Sequence, residues 1–251
     1  MADTDIKLDF AIVGVQKAGT SALFNYLRQH SQIALGDTKE LRFFDKEINY
    51  QIGKPDYSIL HNMLPAYTAG KLRGDCTPNY MYWEPSMQRI WEYNPNIKII
   101  AVLRNPVDRA FSEWNMFKVE GKVNVDFETY LKDENVLRQA DLPFQPRFFA
   151  AIGRSLYAEQ IKRVYKYFSK EQVLFIKYEN YKADQVKWLN EIFRFLGVDE
   201  KLFQFNEAKV FAIDYIRSMT DEEKLHLQNV FTADIKEVEN LLGWNCDDWK
   251  A

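Results

Sequence analysis

A glycine-framed loop near the start of the chain constrains the fold more than any other feature. Gly14-Val15-Gln16-Lys17-Ala18-Gly19-Thr20-Ser21 follows a short apolar run, Leu8 to Gly14 (LDFAIVG), and precedes a stretch from Thr20 to His30. In that stretch Ala22, Leu23, Tyr26 and Leu27 recur at helical spacing, with no proline to interrupt them. An apolar strand, a glycine turn and a helix in succession predict a buried parallel strand opening an α/β fold. The two glycines have the spacing of the phosphate-binding pattern GxxxxGK[ST]. Glycines let the backbone curl so that its N–H groups point inward, and the helix N-terminus behind them adds about half a positive charge, so such a loop holds phosphate oxygens. Lysine placement departs from the pattern. Thr20 stands where a nucleotide hydrolase has its lysine, and the loop's only lysine, Lys17, lies three residues earlier. An incidental glycine turn is the competing reading, and the strand-to-helix context favours the phosphate loop.

KIIAVL, from Lys98 to Leu103, reads as another buried strand, leading into the helix-like PVDRAFSEWNMF with Pro106 at the first helical position. VLFIKY, from Val173 to Tyr178, is a third strand between the amphipathic stretches LYAEQIKRVYKYF and VKWLNEIFRFLGV, and KLRGDC, from Lys71 to Cys76, is a weaker fourth. Strands separated by helices of this length predict an α/β, P-loop-type parallel sheet with helices on both faces. From Asp221 to Leu242 the chain reads as a helix, with Thr220 as N-cap, Glu223 completing a capping box and Gly243 as the stop. The segment from Val123 to Arg147 is polar, lacks periodicity and contains Pro143 and Pro146, which predicts an irregular excursion or lid at about residues 121–150. At 251 residues, the chain is expected to form one domain over 1–251.

A net charge of -3 gives no electrostatic case for nucleic-acid binding, so any anion site must be local. The first ten residues, MADTDIKLDF, do not read as a secretory signal, and no window approaches the ~20 apolar residues of a membrane span, which predicts a soluble, cytoplasmic protein. Cys76 and Cys246 match no metal-ligand spacing and read as ordinary thiols. His30, His61 and His226 fall in no motif and read as structural. Tyr80, Tyr82, Trp83 and Trp114 have spacings that suit core packing better than the lining of a sugar-stacking cleft.

Four segments together resemble the PAPS-dependent sulfotransferases (PAPS is 3′-phosphoadenosine 5′-phosphosulfate), particularly the branch containing the heparan-sulfate sulfotransferases and their bacterial relatives. They are VGVQKAGTSAL, KELRFFD from Lys39 to Asp45, GDCTPNY from Gly74 to Tyr80, and LRNPVDRAFS from Leu103 to Ser112. The first is similar to the family's 5′-phosphosulfate loop. This implies that Gly14, Gln16, Lys17, Ala18, Gly19, Thr20 and Ser21 bind the donor and that Lys17 meets its bridging oxygen. The second is similar to KExxFFD, which implies Glu40 as general base. Arg42 stands where several relatives carry histidine, a departure that bears on the acceptor rather than the reaction. The third resembles an (S/T)PxY turn. The fourth resembles the 3′-phosphate segment, implying that Arg104 and Ser112 hold the second phosphate. Arginine suits a dianion through its planar fork of donors. A lysine-glycine loop that completes this contact in many relatives is not evident. The stretch Lys209 to Arg217 is the best substitute, with Arg217 as the candidate.

The resemblance implies direct in-line transfer of a sulfuryl group to an acceptor hydroxyl, less readily an amine, with PAPS as donor and an acceptor that is a carbohydrate or other small metabolite. The matched segments nominate no metal ligands. Glycine spacing alone leaves a nucleotide or small-molecule kinase open, although the missing lysine, and no apolar strand ending in a Walker B aspartate, count against it. An inactive nucleotide-binding module is a further alternative, against which the presence of both Lys17 and Glu40 counts.

Overall fold

The computed structural model describes residues 7–51, 53–137, 150–206 and 213–250. In chain order the elements are β1 (Phe10–Gly14), α1 (Thr20–Leu27), β2 (Ile33–Leu35), α2 (Ser58–His61), β3 (Leu72–Cys76), α3 (Ser86–Tyr93), β4 (Lys98–Leu103) and α4 (Pro106–Val119). They continue with α5 (Phe127–Leu137), α6 (Ala151–Ser155), α7 (Tyr157–Tyr167), β5 (Val173–Lys177), α8 (Tyr178–Ala183), α9 (Gln185–Leu196), α10 (Asp221–Leu242) and α11 (Asp247–Lys250). The fold is a parallel α/β sheet flanked by helices, as the sequence predicts.

All five strands are parallel, in the order β2-β3-β1-β4-β5. Every residue of β1 and the last five of β4 are buried, which is why these runs are continuously apolar rather than alternating. The chain leaves β1 toward β2 and β3 on one side and later adds β4 and β5 on the other. That makes the carboxyl end of β1 the switch point of the sheet, where open α/β sheets bind ligands. Gly74 in β3 permits close strand packing, since a Cβ there would run into the ring of Phe10.

The chain divides into two compact units, 1–103 with 163–210, and 104–162 with 211–251. The first holds the sheet. The second is organised around a buried ionic cluster. Arg109 and Glu113, both fully buried, pair at 2.8 Å, and Arg109 also donates to the Ala151 carbonyl and the Ser155 hydroxyl. Tyr130 Oη donates to Glu113 Oε1 at 3.0 Å, so the cluster ties α4 to α5 and α6.

The segment expected to be irregular from Val123 contains a regular helix, α5, whose first turn packs Phe127 and Tyr130 into the core. Residues 138–149 of that expectation, including Pro143, Pro146 and Arg147, lie outside the described residues. β1 starts at Phe10, α1 stops at Leu27, and Tyr178 opens a helix instead of ending β5. Tyr80, Trp83 and Trp114 are core residues, and Cys76 and Cys246 are buried free thiols.

Candidate active site

The loop leaves β1 at Gly14, where a Cβ would lie 3.1 Å from Met81 Sδ. Val15 N–H donates to the Val102 carbonyl of β4, and Ala18 N–H to the Val15 carbonyl, so the loop is fastened to the sheet and then folds back on itself. Gly19 takes the left-handed conformation (φ 76°) and a Cβ there would lie 3.0 Å from the Tyr178 ring, so glycine is required on two counts. As the N-cap of α1, Gly19 brings no capping side chain, and the first turn carries no acidic residue. The positive end of α1 therefore meets no capping carboxylate from its own first turn, which fits a phosphate. Gln16 Oε1 is buried without a hydrogen-bond partner among the described residues. Thr20 is buried and Ser21 exposed.

Lys17 (φ 73°), Glu40 (φ 66°) and Arg42 (φ 56°) are the non-glycine residues with left-handed backbones among those described. Each such conformation costs about 1–3 kcal/mol and persists only where surrounding contacts impose it. Glu40 N–H donates to the Cys76 carbonyl at 3.0 Å, and the Cys76 thiol donates to the Thr20 carbonyl at 3.6 Å, so the end of β3 links the Glu40 turn to the start of α1. The Glu40 carboxylate pairs with Lys39 Nζ at 3.2 Å and is 36% exposed, at the edge of the buried run Leu41, Phe43 and Phe44. Arg42 donates through Nε and an Nη to Asp45 Oδ2, which also accepts from Asn79 Nδ2 at 2.6 Å.

Asp75, which no motif nominates for a role, stands one residue before the end of β3 and beside β1. It bears on the kinase alternative, because it sits near the end of the strand next to the loop. Its carboxylate is buried, however, and takes hydrogen bonds from Leu41, Thr77 and Tyr80.

In the second unit, Arg104 follows β4 directly and its Nη2 lies 4.0 Å from Asp108 and 3.5 Å from Tyr215 Oη. Ser112 sits on α4, buried at 7% exposure. Asn115, one turn further along α4, donates to the Asp214 carbonyl and accepts from Ile216 N–H, clamping the chain on either side of Tyr215. The Tyr215 ring stacks on Phe111 at 5.6 Å. Tyr215 lies within the Lys209 to Arg217 stretch without a role of its own in the sequence reading, and its hydroxyl contact places it beside Arg104. Residues 209–212 of the substitute stretch lie outside the described residues. Arg217 makes a two-pronged pair with Glu223 at 2.6 and 2.8 Å and lies over the Phe111 and Trp114 rings. Burial alone would raise Glu223, but this pairing and the Thr220 N–H hold it below the usual carboxylate range. The guanidinium fork is thus already filled by α10.

His30 and His61 bond to the Asp199 carbonyl and the Tyr93 hydroxyl, as structural histidines do. Among the described residues no helix is long and apolar enough to cross a membrane, and no cluster of three or more His, Cys, Asp or Glu could hold a metal ion.

Residues 7–233 match the family model described as the sulfotransferase domain. The chain belongs to the sulfotransferase family. Human heparan sulfate glucosamine 3-O-sulfotransferase 6 is 31% identical over 205 residues, covering 80% of this chain and 56% of that one. Mouse heparan sulfate glucosamine 3-O-sulfotransferase 5 is 27% identical over 195 residues, covering 78% and 55%. The chain spans about half the length of these curated relatives. Among solved structures, a sulfotransferase from Alicyclobacillus acidocaldarius superposes with a TM-score of 0.81 at 27% identity, covering 98% of this chain and 100% of that one. Mouse sulfotransferase SULT7A1 complexed with PAP shares the fold, with a TM-score of 0.58 at 20% identity over 98% of this chain and 87% of that one.

Proposed function

We propose that this sulfotransferase-family chain moves a sulfuryl group from PAPS directly to a hydroxyl of a carbohydrate or other small acceptor. The observation that carries the reading is conformational. Lys17 and Glu40, which the family resemblance nominates for catalysis, are two of the three left-handed non-glycine residues among those described. Family membership, the uncapped α1 terminus behind Gly19 and the link from Glu40 through Cys76 to Thr20 support the same reading.

Those backbone N–H groups of the Gly14 to Ser21 loop that are not already bonded within the protein, as Val15 and Ala18 are, hold the 5′-phosphate, and Arg104 and Ser112 hold the 3′-phosphate. Glu40 takes the acceptor proton as the acceptor oxygen bonds to sulfur. The bond from sulfur to the bridging oxygen breaks, and its electron pair leaves with adenosine 3′,5′-bisphosphate. Lys17 stabilises the charge developing on that oxygen, so positioning and charge stabilisation supply most of the acceleration. No covalent enzyme intermediate is required. The glucosamine hydroxyl named for the curated relatives supports a sugar acceptor, and the net charge of -3 favours a short one over a long polysulfated polymer.

With labelled PAPS and a panel of short glucosamine-containing oligosaccharides, simple alcohols and lipids, Lys17→Ala and Glu40→Gln are each expected to lower turnover by about 100-fold or more, the low end for a lost proton-transfer group. Near-normal turnover in Glu40→Gln would remove that residue as the base.

A further inference from the structure

Four consecutive backbone N–H groups end on one short piece of chain. Those of Glu40, Leu41, Arg42 and Phe43 donate to the Cys76 carbonyl (3.0 Å), Asp75 Oδ1 (3.4 Å), Thr77 Oγ1 (3.3 Å) and Tyr80 Oη (3.1 Å). Both hydroxyls relay the interaction, because Thr77 Oγ1 lies 3.1 Å from each Asp75 oxygen and Tyr80 Oη donates to Asp75 Oδ2 at 2.6 Å. An N–H can only donate, so each hydroxyl accepts from it and turns its own proton to the carboxylate. Left-handed Glu40 and Arg42 flank Leu41, whose φ is not positive, and such alternation turns successive N–H groups to one side, forming a cup for an anion. Here the anion is internal. Asp75 is 2% exposed.

The Glu40 side chain has a single partner among the described residues, the partly exposed Lys39. Among the described residues no buried group grips its carboxylate, so its direction is set by the backbone beneath it. We propose that Asp75 is a positioning residue, whose buried carboxylate, directly and through the hydroxyls of Thr77 and Tyr80, gathers the N–H groups of residues 41–43 and fixes the strained turn that aims Glu40 at the acceptor. This rests on the assignment of Glu40 as base. It also accounts for the Thr77-Pro78-Asn79-Tyr80 turn: its two hydroxyl-bearing residues are the two relays.

Thr77→Val and Tyr80→Phe each remove one hydroxyl at nearly constant size, and Thr77→Ser restores it. Amide hydrogen exchange over residues 40–43, read on folded protein, is expected to quicken in the first two and stay slow in the third. Release of adenosine 3′,5′-bisphosphate from PAPS, with water or a short glucosamine-containing oligosaccharide as acceptor, is expected to fall about 10- to 100-fold in kcat, the scale of an ångström-sized misplacement. The calorimetric Kd for the bisphosphate is expected to stay within about twofold, because the relays act on the base and not on the donor site. In a Glu40→Gln background neither substitution should lower kcat further, since a residue acting through Glu40 has nothing left to aim. Three results would overturn the proposal: unchanged exchange at 40–43, unchanged kcat in both variants while Glu40→Gln is impaired, or full additive losses in the Glu40→Gln background. Normal turnover in Glu40→Gln alone defeats the base assignment instead, and removes the purpose given to the relay with it.

Discussion

Burial pushes the Asp75 carboxyl up from the ordinary carboxylate range to about 6, even though hydrogen bonds from Tyr80, Thr77 and the backbone of Leu41 oppose the rise. A folded-state pKa above the unfolded one means that the native protein holds the proton more tightly between pH ~4 and ~6, so this group's stabilising contribution falls as pH rises through that window and is gone above it. The difference in unfolding free energy between the native chain and Asp75→Asn is therefore expected to shift against the native chain by on the order of 3 kcal/mol from pH 4 to pH 7. Urea midpoints of both proteins across that range check it, and a difference that grows in the native chain's favour with pH would contradict it. Lys17 and Glu40 are nominated by the resemblance of their segments to the family's motifs. Their left-handed backbones were not legible in the sequence, because only tertiary contacts can hold a residue with a Cβ there.

Helix ends and buried strands were the legible elements, since each carries a local signal. Thr220 caps α10 and Glu223 returns the bond, as Ser/Thr-x-x-Glu predicts, while β1 and β4 announce themselves by apolar runs. β2 is only three residues, too short for any periodicity, and α5 hides within a polar stretch because its packing falls on a few residues such as Phe127 and Tyr130. Removing the α10 cap with Thr220→Ala is expected to cost about 1 kcal/mol. Glu223→Ala should cost more, because Glu223 bonds the Thr220 N–H and both Nη atoms of Arg217, which would then lie over Phe111 and Trp114 without its carboxylate. Thermal melts order the two. A larger loss in Thr220→Ala would mean that the Arg217 pair adds nothing to the cap.

At the scale of the molecule, the strand order follows from where each βα connection returns, which no local pattern encodes, yet it is what puts the end of β1 at the switch point, the edge where open α/β sheets bind ligands. The sequence supplied the loop and the sheet supplied the reason for its location. The donor assignment then makes a prediction about the whole folded state, because a ligand that binds only the native protein stabilises it in proportion to its occupancy. Adenosine 3′,5′-bisphosphate at about 100 times its Kd is expected to add about 2.7 kcal/mol, or roughly 5–10 °C in Tm for a chain of this size, without added magnesium. At the same concentration adenosine 5′-monophosphate should add less, since it lacks the phosphate assigned to Arg104 and Ser112. Arg104→Ala should bring the two nucleotides to nearly the same shift by weakening the bisphosphate alone. A shift produced by magnesium and ATP but not by the bisphosphate would return the loop to the kinases. If Arg104→Ala left the gap between the two adenosine nucleotides intact, the loop would keep its phosphate and the 3′-phosphate would have to be sought on other residues.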